Sequence, residues 1–285
     1  MTLFEQAITN LKAIKSKRNP NNFNIIFFGD SWVNGGHVSD DIFQAAMEKG
    51  MTYNPLLVVH CGDGVFSGDI ESLNTFVTKV NTLNKDTEGN SIPFFIAPGN
   101  HDAYKTDNIL NLDNYRQIIG PEEIHFAINL PEFHLKLIGL NSLYNYIYRE
   151  YGLTENELLF LTENLYEKCH KNCNLVVMHV PPREPELGWL GEDAFPNERG
   201  RLQFYEIAKN KASRVLVGHI HDFQVAYKHK VSFILSGGGG AALNVGAKFH
   251  IVLMNIRYDG HKIIVTEKFI PVGEKRATEA ISESS

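Results

Sequence analysis

Residues 24–30 read NIIFFGD, residues 56–63 read LLVVHCGD and residues 93–102 read PFFIAPGNHD. Each is a short apolar run, rich in β-branched or aromatic residues, that ends at a glycine and a polar side chain able to bind a ligand. Apolar runs of this length, continuous rather than alternating, indicate strands buried on both faces. Helical patterns separate them. Residues 40–49 put Ile42, Phe43, Ala46 and Met47 on one face, and residues 69–81 open on Asp69, a good N-cap. Strands alternating with helices imply right-handed crossovers and a parallel sheet core.

The pattern changes further along the chain. Residues 125–129 and 134–140 alternate like hairpin strands around Leu130-Pro131-Glu132. Residues 154–171 predict a helix, with Thr154 and Glu157 as a capping box and Leu158, Leu159, Leu161 and Leu165 as its buried face. A strand at 175–178 ends at His179, and a long irregular loop occupies 181–201. A short helix at 202–210 precedes a strand at 214–217 that leads to His219. Strands at 232–235, 249–256 and 262–268 follow, the last two around the turn Tyr258-Asp259-Gly260. The sum is a two-sheet α/β core with helices outside. No repeat or linker divides it, so one domain over 1–285 is expected. An amphipathic helix carrying Phe4, Ala7, Ile8, Leu11 and Ile14 lies within 1–18, and 277–285 read as a frayed tail.

The composition, 43% hydrophobic and 21% charged, is that of an ordinary globular chain. No apolar stretch suits a bilayer span, and the N-terminus lacks the core of a signal peptide. A net charge of −6 argues against nucleic-acid binding but not against a small phosphorylated substrate held by metal ions. Three cysteines, Cys61, Cys169 and Cys173, suggest reduced thiols and a cytoplasmic protein with no membrane partner. Cys169 and Cys173 bracket His170, but without a second pair they read as packing residues rather than a metal clip. Cys61 reads as a small core residue.

Asp30, Asp63, Asn100, His179 and His219 each follow a strand end, where open α/β sheets bind their ligands. They can therefore converge from distant parts of the chain. Mixed Asp, Asn and His donors suit Mn, Fe or Zn better than Mg or Ca. His219 and His221, two residues apart, point the same way in an extended segment and can serve neighbouring ions.

The ordered series Gly29-Asp30, Gly62-Asp63, Gly99-Asn100-His101-Asp102, His179 and Gly218-His219-Ile220-His221 resembles the calcineurin-like metallophosphoesterase superfamily over nearly the whole chain. MHVPP at 178–182 and GGGGAAL at 237–243 resemble further segments of it. The resemblance implies a four-layer α/β/β/α sandwich and two divalent or trivalent transition-metal ions (Mn, Fe or Zn) bridged by Asp63. Asp30 and His221 would complete the first ion's protein ligands; Asn100, His179 and His219 would complete the second's. It implies hydrolysis of a small-molecule phosphomonoester or phosphodiester by a metal-bound hydroxide attacking in line, with the ions about 3.5–4 Å apart. Two divalent ions, less Asp30, Asp63 and a bridging hydroxide, leave a surplus positive charge for a phosphate anion. His101 resembles the family's non-ligand histidine beside the substrate, which would protonate the leaving oxygen or stabilise its charge, and Asp102 would orient it and hold it charged. Oligomeric state is not legible.

One position departs from the pattern. The first block usually reads Asp-x-His; here it is Asp30-Ser31-Trp32, and an indole cannot ligate a metal as imidazole does. The first ion then keeps Asp30, Asp63 and His221 with water filling its shell, or gains His37, or binds weakly or not at all. Trp32 is read either as a stacking surface for a substrate ring or as packing at the mouth of the site. Arg183, Arg199 and Arg201, in or beside the long loop, are phosphate clamps or solvated charges. Glycines 237–240 either cradle a phosphate or let backbones approach closely. Apart from His37, the seven histidines outside the motif blocks, His60 and His125 among them, read as strand or surface residues. Two alternatives to the hydrolase stand: a nuclease, and a scaffold that keeps the fold with an impaired site.

Overall fold

The computed structural model describes residues 1–106, 109–144, 150–165, 170–190 and 193–273. Helix α1 (Leu3–Ile14) begins at a true capping box: Thr2 accepts from the Glu5 amide and Glu5 returns the bond to the Thr2 amide. Its Leu3, Ala7, Leu11 and Ile14 are buried. Strands β1 (Asn22–Phe28), β2 (Leu57–His60) and β3 (Phe94–Ile96) pair in parallel, with Ile25 opposite Leu57 and Val58 opposite Phe94. Helices α2 (His37–Met51) and α3 (Ile70–Leu83) form the crossovers. Asp69 caps α3 by accepting from the Ser72 amide at 2.8 Å.

A short antiparallel pair, β4 (Tyr104–Thr106) and β5 (Ile109–Asn111), and helix α4 (Asp113–Ile118) follow β3. Both escape the sequence reading because each is about one turn or three residues long. Next come β6 (Phe126–Leu130), β7 (Leu135–Gly139), α5 (Glu155–Asn164), β8 (Cys173–Val177), α6 (Arg201–Ala208) and β9 (Arg214–Val217). The chain ends on β10 (Phe223–Lys228), β11 (Val231–Ser236), β12 (His250–Tyr258) and β13 (Ile263–Pro271). One sheet has the order β13-β12-β1-β2-β3 and the other β10-β11-β9-β8-β7-β6. Two sheets flanked by helices give the expected α/β/β/α sandwich. Phe23 of the first sheet meets Phe133, beside the β6–β7 connection, edge to face at 5.2 Å, and Arg214 of β9 pairs with Glu267 of β13.

Three expectations need correction. The helix expected over 154–171 ends at Asn164, and Leu159 is 58% exposed because only Leu158, Leu161 and Leu165 share the inner face. Glu157 does not close a capping box. Its carboxylate turns inward to His125 Nδ1 and the Asn141 amide, both at 3.0 Å. Strand β10 was not anticipated: as an edge strand it is only half covered, so its apolar signal is weak. Cys173 is buried in β8, whereas Cys169 and the tail at 277–285 lie outside the described residues. Among the described residues no helix is long and apolar enough to cross a membrane.

Candidate metal centre

The loops after β1, β2, β3, β8 and β9 meet at one end of the two sheets. Asp30, Asp63 and His219 sit there with φ of 58°, 55° and 68°. Non-glycine residues rarely adopt this left-handed conformation, and surrounding contacts must hold it. Here those contacts are backbone bonds between loops: Asp30 N to Gly62 O, Ser31 N to Asp63 O, and Gly218 N to His179 O. The motif glycines leave room for this. A Cβ on Gly99 would fall 2.2 Å from Asp63 Oδ1, and one on Gly218 2.5 Å from Asp30 Oδ2.

His179 is fully buried, and its Nδ1 donates to the Cys61 carbonyl at 2.9 Å. That bond turns Nε2 inward. Around Nε2 stand Asn100 Oδ1 at 3.1 Å, His219 Nδ1 at 3.1 Å and Asp63 Oδ1 at 3.3 Å. Four lone-pair atoms thus crowd one point with too few protons to bond them all, and a cation satisfies them together. Ligand atoms of Asp30, Asp63 and His179, all buried, also lie within 4.8 Å of one another. Burial would lower the His179 pKa, yet the carboxylates of Asp63 and Asp30 raise it to about 9. Burial would raise Asp63, but His179, His101 and His219 hold it well below the usual carboxylate range. The residues present therefore fit a metal ion.

The remaining donors lie beside this point. His221 Nε2 is 3.4 Å from Asp30 Oδ1, and its Nδ1 bonds the Ala242 carbonyl. Asp30 also receives the His219 amide at 3.1 Å. His37 does not join: it is exposed at the start of α2. Trp32 takes the central place instead. Its Nε1 donates to Asp63 Oδ2 at 3.3 Å, and its ring lies 4.6 Å from His101, 5.2 Å from His221 and 5.3 Å from Phe66.

His101 and Asp102 divide their work differently from the expectation. His101 N donates to Asp63 Oδ1 at 2.8 Å, and its Nδ1 donates to the Phe66 carbonyl at 2.8 Å. The Phe66 backbone, not Asp102, orients the imidazole and sets its Nε2 on the opposite side. Asp102 is buried and accepts four backbone N–H groups, from Asp63, Gly64, Val65 and Gly99, at 2.8–3.2 Å. It ties the loop after β2 to the loop after β3. Burial and the nearby Asp63 carboxylate push it up to about 7, against donors that favour its ionised form.

Glycines 237–240, Arg199 and Arg201 are tied into the surrounding structure. Glycines 237–240 make close backbone approaches: Gly239 N bonds Gly29 O and Gly237 N bonds Asp222 O, so those amides are committed and do not cradle a phosphate. Arg199 pairs with Glu150 and Arg201 with Glu184. The sequence reading missed Phe66, Tyr151 (edge-on to His219 at 5.0 Å) and the carbonyls of Cys61 and Ala242. Carbonyls carry no sequence signal. In sequence His60 reads as an ordinary strand histidine, yet its Nε2 bonds Ser31 Oγ at 2.8 Å and fixes the loop between Asp30 and Trp32.

Solved structures with this fold include GAP50, described as the anchor in the inner membrane complex of Plasmodium. It is 13% identical, with 88% of this chain and 84% of that one covered at a TM-score of 0.56. A putative 5'-nucleotidase from Staphylococcus aureus is also 13% identical at a TM-score of 0.56, with 88% of this chain covered. The match spans 54% of that protein's length. At such identities the likeness is one of fold alone. No curated protein matches the chain significantly. The sequence profile of the calcineurin-like phosphoesterases matches residues 4–223, most of the chain, and on that match, with the site it encloses, the chain belongs to the calcineurin-like phosphoesterase family.

Proposed function

We propose that the chain is a metal-dependent hydrolase of a small-molecule phosphomonoester or phosphodiester, with two metal positions of unequal strength. The observation that carries this reading is the cluster of Asp63 Oδ1, Asn100 Oδ1 and His219 Nδ1 around His179 Nε2. These four residues would hold the second, stronger ion. Asp30 and His221, sharing Asp63, would hold the first. Bound ions there supply positive charge for a phosphoryl group and acidify a water for attack on phosphorus.

The chain's own residues do the rest. The Cys61 and Ala242 carbonyls fix the tautomers of His179 and His221, so that Nε2 of each faces the site. Asp102 keeps Asp63 and His101 in register by binding the amides of both loops. His101, held through Nδ1, presents Nε2 to the leaving oxygen and gives it a proton. The acidic balance favours a small substrate over a nucleic acid.

A second reading, a scaffold with an impaired site, is favoured by the indole beside Asp63 and by the anchoring role described for GAP50. Assay of p-nitrophenyl phosphate and bis-p-nitrophenyl phosphate with Mn, Fe or Zn tests the choice. Metal-dependent turnover of either, lost in His101→Ala with metal retained, supports the hydrolase. No turnover with full metal content supports the scaffold.

A further inference from the structure

The two oxygens of Asp63 are used differently. Oδ1 accepts the His101 amide and faces His179, on the side of the stronger cluster. Oδ2 accepts the indole N–H of Trp32. The same indole stands edge-on to His221, whose Nε2 approaches Asp30. Trp32 therefore contacts two of the three side chains that would hold the first ion, Asp63 and His221, and its N–H bonds one of the oxygens that ion would use. An indole has a donor but no in-plane lone pair, so it competes with a cation for a carboxylate and cannot join it as a ligand.

This placement is built in. Trp32 has a φ of 49°, and its amide and that of Ser31 both bond the Asp63 carbonyl, at 3.2 and 2.8 Å. Ser31 is pinned by buried His60, and Gly35 N closes a turn on the Trp32 carbonyl. Phe66 meets the ring edge to face and His101 lies tilted against it. The backbone is fixed, so movement of the indole is a side-chain rotation.

We propose that Trp32 gates the first metal position: its N–H caps Asp63 Oδ2, and an ion joins Asp30, Asp63 and His221 only as that hydrogen bond opens. The proposal rests on the two-position reading above. The second position then fills at lower metal concentration, and the first fills in a separate step that changes the surroundings of the indole. The ring also touches His101, so that step reaches the proton donor.

The test is a Zn²⁺ titration of the metal-free full chain, followed by calorimetry and by tryptophan emission. Zn²⁺ is used because it is not paramagnetic. Wild type is compared with Trp32→Phe and Trp32→His; Trp32→Phe also supplies the emission of Trp189, the other tryptophan. Two steps are expected in wild type, with Trp32 emission moving in the weaker one. Trp32→Phe should leave the tighter step within about twofold and tighten the weaker one by roughly tenfold, as for loss of one hydrogen bond to a charged group. Trp32→His, which restores a ligand, should tighten it further. A second step seen only in the variants supports the gate equally. Emission that follows the tighter step, or a weaker step unmoved in Trp32→Phe, overturns the gate alone. One step in all three proteins, or none, overturns the two-position reading and the gate with it.

Discussion

The Nδ1 of His179 donates to the carbonyl of Cys61 at 2.9 Å, across a gap of 118 positions in the chain. That bond decides which nitrogen faces the acceptor cluster and makes His179 a candidate ligand by geometry rather than by residue type alone. His179→Ala should therefore abolish the stronger metal step. Wild type at a metal concentration of 100 times its Kd should gain about 2.7 kcal/mol of stability, whereas the variant should gain almost none. Thermal unfolding with and without chelator measures both.

Asp102 and His101 should separate into a fold role and a chemical role. Asp102→Ala leaves four buried amides without their acceptor, and a loss of about 3–5 kcal/mol is expected, read from the urea midpoint. His101→Ala removes no buried acceptor. It should keep its midpoint and metal content while kcat falls about 10²–10⁴-fold. Equal destabilisation of both variants would contradict this division.

Gly99→Ala places a methyl group 2.2 Å from Asp63 N and Oδ1. Backbone atoms and a buried carboxylate cannot yield as a flexible side chain can. The variant should lose metal and turnover even where far-UV dichroism stays native. Metal content by mass spectrometry checks this.

His60 predicts an acid-sensitive fold. Burial lowers its pKa to about 3, whereas an unfolded histidine titrates near ~6.5. Between these values the unfolded chain binds the extra proton. Stability from this group is thus fully present above pH ~6.5 and is lost as pH falls toward about 3, at up to ~1.4 kcal/mol per pH unit. His60→Gln should flatten the wild-type loss of stability between pH 7 and pH 5, measured by urea unfolding at each pH. His125 works in the opposite sense. Its bond to Glu157 raises its pKa, so its contribution is present below ~6.5 and fades as pH rises through the raised value.

The sheet core and most residues of the candidate site are legible because they are written in contiguous residues. Runs such as 25–28 and 56–59 are apolar throughout since both faces are covered, and each leads into a Gly-Asp that carries a candidate ligand. The edge strand β10, half exposed, left no comparable signal. Leu159 was misplaced because a leucine-rich helix offers two apolar faces and only packing selects one. The work of Asp102 could not be read either: a carboxylate that binds backbone amides looks in sequence like one that binds an imidazole. Trp32 stands out in the sequence as a departure, but its hydrogen bond to Asp63 is visible only in three dimensions.

The central claim is that the cluster around His179 holds metal and that the metal serves phosphoester hydrolysis. The most direct measurement follows metal content and p-nitrophenyl phosphate turnover on the same samples as Mn²⁺ is restored to the stripped protein, in wild type and in Asp63→Asn. The account predicts that wild-type turnover rises with bound metal, while Asp63→Asn binds little metal and turns over nothing. Turnover unaffected by stripping, or equal in Asp63→Asn, would contradict it.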